Sequence, residues 1–206
     1  MDAAMKSLFR FRRSRGPVDL AVDMAGVRMG ERIIQVGTGD PRVFALASSK
    51  VGLTGHACAI VDTAAAKAAL EDAAARQGVL VEVTVESETT WPYDPASFDL
   101  AFVDANPLQG AGASARQGRL TNVVRVVRPG GRILAIQRVP RGIAARWGFE
   151  RRTGTPGLAA QELVRFVEQA GCRPVRVLAE REGMIFVEGF RPGAPGEIRF
   201  SIPHVI

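Results

Sequence analysis

The residues Gln35-Val36-Gly37-Thr38-Gly39-Asp40-Pro41 follow a short apolar run, Arg32 to Val36, and precede a stretch of helical character. Glycines at such a point let the backbone turn sharply and let a ligand approach the main chain at the carboxyl end of a strand. The next apolar run, His56 to Val61, ends at Asp62. An acid at that strand end, roughly 20 residues after the bend, can accept both hydroxyl hydrogens of a ribose. Together the two features predict a site for an adenosine-type nucleoside. Plainer alternatives stand beside this reading: Gly37 and Gly39 shape a turn and nothing more, and Asp62 caps the helix that begins near Ala64. A dinucleotide fits less well, because Arg42 holds the position where a pyrophosphate site prefers a third glycine.

These residues need a scaffold, and the order of apolar runs supplies one. Strand-like and helix-like segments alternate along the chain, the order of βαβ units that lay a mostly parallel sheet between two helix layers. The pattern predicts a helix over Val18 to Val27, a strand over Arg32 to Val36, and a helix from Pro41 to about Val51, where Pro41 suits the first turn. It continues with a strand over His56 to Val61, a helix over Ala64 to Arg76, and strands over Leu80 to Val85 and Phe98 to Val103. Leu120, Val123, Val124 and Val127 share a helical face that should stop at Arg128-Pro129-Gly130-Gly131, before a strand over Arg132 to Ile136. Arg138 to Gly157 reads as a long surface loop, and Leu158 to Ala170 as an amphipathic helix. Pro174 to Ala179 and Met184 to Phe190 read as a closing antiparallel hairpin joined by Glu180 to Gly183. The expected fold is therefore α/β, a Rossmann-like three-layer sandwich around a seven-stranded, mostly parallel sheet with a C-terminal antiparallel hairpin.

Four ordered blocks resemble the class I S-adenosylmethionine-dependent methyltransferases, nearest in pattern to the C-methyltransferases of ubiquinone and menaquinone biosynthesis. Gln35 to Pro41 resembles the glycine-rich first motif, and Ala59-Ile60-Val61-Asp62 the strand ending in the ribose-binding acid. Val85 to Asp99 resembles the segment that runs from the adenine-contacting acid to Ser-Phe-Asp, and Val126 to Gly131 the turn before strand five. Gly183 to Gly189 resembles the last strand, so the likeness covers nearly everything after the first dozen residues. It implies S-adenosyl-L-methionine as cofactor. Gln35, Gly37, Thr38 and Gly39 would then pass beneath its methionine part and ribose, and Asp62 with Thr63 would hold the ribose side. Ser87 and Glu88 would border the adenine, while Asp104 and Ala105 would lie near the sulfonium and the incoming acceptor. Asp104 is the one candidate catalytic residue; its alternative is a strand-end carboxylate satisfied by backbone amides.

The chain departs from the family at Gln35, Pro41 and Ser87, where an acid, a glycine and an aspartate are usual. Lost carboxylates remove charge-assisted hydrogen bonds to a cationic cofactor, each worth about 1.5 to 3 kcal/mol. Weak binding, or a noncatalytic relative that keeps the fold, follows as an expectation. Strand four also resembles the cation-dependent catechol-type O-methyltransferases, but Gln137 and Arg138 stand where those carry further ligands. Asp104 alone offers too few oxygens for a divalent ion, so no metal is expected.

Methyl transfer needs alignment more than a base, so a small-molecule acceptor requires no histidine. His56 and His204 are the only histidines, and neither is placed as one. Cys58 and Cys172 fit a reducing compartment and structural roles. The formal charge is +6, and lysine occurs only at Lys6, Lys50 and Lys67, so the excess is arginine spread along the chain. Its one dense cluster is Arg10, Arg12, Arg13 and Arg15 with Phe9 and Phe11. RNA is therefore a weaker alternative partner, with residues 1–16 as an electrostatic arm, 17–190 as the domain and 191–206 as a tail. No apolar run approaches the roughly 20 residues of a membrane span, and no secretory signal is visible, so a cytoplasmic protein is expected. Oligomeric state has no signature in the sequence.

Overall fold

A computed structural model describes residues 16–86, 91–106, 113–138, 160–181 and 183–193. The elements run α1 (Pro17–Ala25), β1 (Arg32–Val36), α2 (Pro41–Val51), β2 (His56–Val61), α3 (Ala64–Gln77), β3 (Glu82–Val85), β4 (Phe98–Asp104), α4 (Ala113–Val126), β5 (Val127–Arg138), α5 (Ala160–Gln169), β6 (Val175–Arg181) and β7 (Met184–Phe190). One seven-stranded sheet orders them β3-β2-β1-β4-β5-β7-β6. The first five strands are parallel, and β7 runs antiparallel to both β5 and β6. The expected architecture, hairpin included, is the observed one. Among the described residues no helix is long and apolar enough to cross a membrane.

Strand residues alternate between two buried layers, which is why the central strands read as unbroken apolar runs. Ile33, Ala59, Leu100, Phe102, Leu134 and Phe186 pack with α1, α2 and α3 on one face. Ile34, Cys58, Ala101, Val103, Ile133 and Val187 pack with α4 and α5 on the other. The Trp91 and Tyr93 stretch between β3 and β4 lies on this second face, with Tyr93 edge-on to Phe98 at 5.1 Å. Arg125 of α4 fastens it by donating to the carbonyls of Tyr93 and Trp91 at 2.9 and 3.4 Å.

Several boundaries differ from the sequence reading. Val127 belongs to β5, opposite Phe98, while Arg132 lies opposite Leu100. Arg128 to Gly131 therefore bulge out against the single residue Asp99, and the expected stop is a bulge inside a strand. Gly131 is needed there, since a Cβ would stand 2.6 Å from Val127 Cγ1 and 2.8 Å from the Arg128 carbonyl. β3 begins at Glu82, because Leu80 is fully exposed and precedes the pairing with Cys58. Arg191, expected in the tail, is docked: its N–H donates to the Gly131 carbonyl at 2.9 Å, and its guanidinium donates to the carbonyls of Arg125 and Val127. Arginine thus satisfies a carbonyl left over at the end of α4. Strand β6 runs to Arg181, two residues further than expected, while β7 has the expected bounds.

Candidate functional site at the carboxyl edge of the sheet

Val36 pairs with Ile60, and the Gly37 N–H donates to the Ile60 carbonyl at 2.9 Å, so the glycine bend lies against the end of β2 where Asp62 emerges. Gly37 and Gly39 both adopt positive φ, 84° and 56°, in the left-handed region that side chains resist. A Cβ on Gly39 would stand 2.7 Å from Gln35 Nε2, and one on Gly37 3.1 Å from Asp104 Cβ. Gln35 is buried and ties the bend internally, Nε2 donating to the Gly37 carbonyl at 3.1 Å. The amide of Gln35 thus shapes the loop from beneath.

Asp104 ends β4 on the other flank of the bend. Its Oδ2 accepts from the Gly39 N–H at 2.9 Å, and its Oδ1 accepts from the N–H and Nδ2 of Asn106 at 3.1 and 2.8 Å. Both carboxylate oxygens of Asp104 therefore accept from amide N–H groups. Asn106 in turn accepts from the Arg138 N–H at 3.0 Å, which links the ends of β4 and β5. Ala105 is fully buried, its N–H donating to the Ile136 carbonyl at 2.9 Å.

On the flank nearer β2, the alternative of Asp62 as a helix cap does not hold. Thr63 is the N-cap of α3, and its Oγ1 accepts from the Ala66 N–H at 3.1 Å. Asp62 instead meets a residue the sequence reading missed: Arg119 of α4 donates from Nη2 to Asp62 Oδ1 at 2.7 Å. The Arg119 side chain is 8% exposed and that of Asp62 46%, so the carboxylate remains open to solvent. Nothing in the sequence joins positions this far apart; only the helical face of α4, with buried Leu120 and Val123 beside Arg119, hints that 119 lies near the sheet.

Asp40 is the second residue missed. It caps α2 by accepting from the Arg42 N–H at 3.0 Å, and it pairs with Arg42 at 2.9 Å and Arg138 at 2.8 Å. Burial raises the Asp40 carboxyl, but the bonds from Arg42 and the charge of Arg138 outweigh it, so Asp40 ionises below the usual aspartate range. A cleft beside these groups is lined by Gly39, Asp40, Asp104, Asn106 and Arg138, with apolar Phe102 among its walls. Ser87 and Glu88, expected at the adenine, lie outside the described residues, as do the basic arm up to Arg15, loop residues 139–157 and His204.

The sheet order, the reversed β7 and the glycine bend facing an acid at the end of β2 make one pattern. The fold is that of the class I methyltransferases. A methyltransferase structure from Aquifex aeolicus, described as dependent on S-adenosylmethionine, matches with TM-score 0.68 at 21% identity, over 90% of this chain and 96% of that one. The [4+2]-cyclase SpnF matches with TM-score 0.64 at 15% identity, over 86% and 80%. A Methanosarcina mazei methyltransferase structure matches with TM-score 0.59 at 18% identity, over 80% and 93%. No protein-family model and no curated protein matches the sequence. Identities this low establish the methyltransferase fold and leave the activity to the site.

Proposed function

We propose that this chain binds S-adenosyl-L-methionine at the carboxyl edge of its sheet and transfers the methyl group to a small-molecule acceptor. The carrying observation is Asp62: it is half exposed, set beside the Gly37–Gly39 bend, and relieved of capping by Thr63. A carboxylate so placed fits a pair of ribose hydroxyls. The names of the Aquifex and Methanosarcina structures support the same cofactor. The sequence resemblance favours the ubiquinone and menaquinone C-methyltransferase pattern within that class.

When bound, S-adenosylmethionine would supply a methyl already activated by its sulfonium, for a nucleophilic atom of the acceptor. Gly37 and Gly39 keep the bend free of side chains, Asp104 fixes the bend through the Gly39 N–H, and Asp62 receives the hydroxyls. Methyl transfer needs the acceptor held in line with the donor, and that alignment supplies most of the acceleration.

Calorimetric titration with S-adenosylmethionine tests the reading. The unmodified chain should bind, and Asp62→Asn should bind at least about tenfold more weakly, the worth of one lost charged hydrogen bond. No heat from the unmodified chain, or equal affinities, would overturn it. A second reading rests on Arg119, which already occupies Asp62 Oδ1, and on an Asp104 fully engaged by amides. Those contacts favour a relative that keeps the fold without transferring methyl groups, and the fold itself does not dictate one chemistry. Binding without turnover on a panel of acceptors would favour it.

A further inference from the structure

A second cluster lies away from the glycine bend, toward the opposite end of β2. His56 opens β2, and Cys58 follows two residues on, so both side chains fall on the same face of the sheet. The register sets Glu82 of β3 directly opposite Cys58. Glu82 Oε2 stands 3.3 Å from His56 Nε2 and 3.6 Å from Cys58 Sγ. The imidazole, thiol and carboxylate donor atoms all lie within 4.8 Å of one another.

We propose that His56, Cys58 and Glu82 form a binding site for Zn2+ or a similar borderline-soft divalent cation, with water completing a tetrahedron. A zinc ion holds nitrogen and oxygen at about 2.0 to 2.1 Å and sulfur at about 2.3 Å, so the edges of its tetrahedron measure about 3.3 to 3.6 Å. The two contacts of Glu82 already have those lengths. Nitrogen, sulfur and carboxylate oxygen are also the donor types this ion takes, and a hard cation would not select the buried sulfur.

Solvent access fits an ion with an open position. Cys58 is buried at the floor, whereas the side chains of His56 and Glu82 are 47% and 64% exposed. The neighbouring Tyr93 supplies an outer contact: its buried hydroxyl makes no well-formed hydrogen bond and adjoins the Cys58 sulfur. Facing a metal-bound thiolate, that hydroxyl would donate to sulfur, the outer support that ligands of such sites usually have. Arg32, opposite His56 on β1, is the nearby cation, and its guanidinium lies over the Phe98 ring, 5.9 Å from the centroid. Without metal the three groups satisfy one another, the imidazole pairing with the carboxylate and the thiol donating to it. The cluster is therefore ordered before any ion arrives.

The test uses the full chain without a polyhistidine tag, titrated with Co2+ and then Zn2+. One equivalent of Co2+ should bind with tetrahedral visible absorption and a sulfur-to-cobalt charge-transfer band, and Zn2+ should displace it. His56→Ala and Glu82→Gln, both at exposed positions, should each weaken Zn2+ binding about tenfold or more. Cys58→Ala should abolish the charge-transfer band; if that variant does not fold, the exposed pair still decides. No stoichiometric binding, binding without the sulfur band in the unmodified chain, or affinity untouched by His56→Ala and Glu82→Gln would overturn the proposal. The outcome is independent of the S-adenosylmethionine titration, since the two sites share no residue.

Discussion

Asp62 carries two competing demands, a guanidinium on one oxygen and solvent at the rest of the group. Arg119 holds the carboxylate in place and at the same time takes a lone pair that a ribose hydroxyl would use. S-adenosylmethionine is itself cationic, so a nearly buried arginine beside its ribose works against it. Arg119→Ala should therefore tighten S-adenosylmethionine binding by up to about fivefold, the usual ceiling for a partly exposed ion pair. The comparison is direct by calorimetry, with Asp62→Asn moving the opposite way. If Arg119→Ala weakened binding instead, the arginine would be an aid to cofactor orientation and the competition argument would fail.

Among the elements, the seam between α5 and β7 shows how tightly the hairpin is locked to the parallel part of the sheet. Gly189 of β7 sits under Val167 and Cys172, and an added Cβ would stand 2.6 Å from Val167 Cγ1 and 2.9 Å from Cys172 Cβ. Both neighbours are fully buried, so neither has room to yield. Gly189→Ala should destabilise the fold by about 1 to 3 kcal/mol, the ordinary penalty of overpacking. Thermal melting should show a fall of several degrees, since each kilocalorie moves a domain of this size by about 2 to 4 °C. An unchanged melting temperature would mean that α5 shifts freely on the sheet. Burial also raises the Cys172 thiol to about 11, in keeping with a packing role rather than a reactive one.

Over the whole molecule, acid stability is governed by carboxylates that hold separate parts of the chain together. Asp99 accepts from the Arg32 N–H at 2.8 Å and from Arg128 Nε at 2.6 Å, tying the start of β1 to the bulge of β5. Burial raises its carboxyl, but Arg128 and the Arg32 N–H more than compensate, and Asp99, like Asp40, ionises below the usual aspartate range. A carboxyl depressed in the folded state stabilises it above the unfolded value, about 3.9, and that contribution is lost as pH falls through the folded value. The melting temperature should hold down to about pH 5 and decline below about pH 4. Asp99→Asn should lower the plateau and flatten the acid decline; an unaltered acid slope would place the linkage elsewhere.

The succession of elements along the chain, the closing hairpin and the glycine bend are legible from the sequence because each rests on local rules. Period-two burial, breaker residues and the need of a sharp bend for glycine act within a few residues, so Arg32 to Val36, Pro41 to Val51 and His56 to Val61 have the bounds that pattern alone predicts. The bulge at Arg128 to Gly131 resembles a stop in sequence because proline and glycine mark both, and only the pairing of Val127 with Phe98 distinguishes them. What the chain brings together across the sheet could be found only in three dimensions. Arg119 reaches Asp62 from α4, Arg138 reaches Asp40 from β5, and Glu82 reaches His56 and Cys58 through the register of β2 and β3. Register and helix docking are set by the summed burial of both layers, a property that no short window of sequence contains.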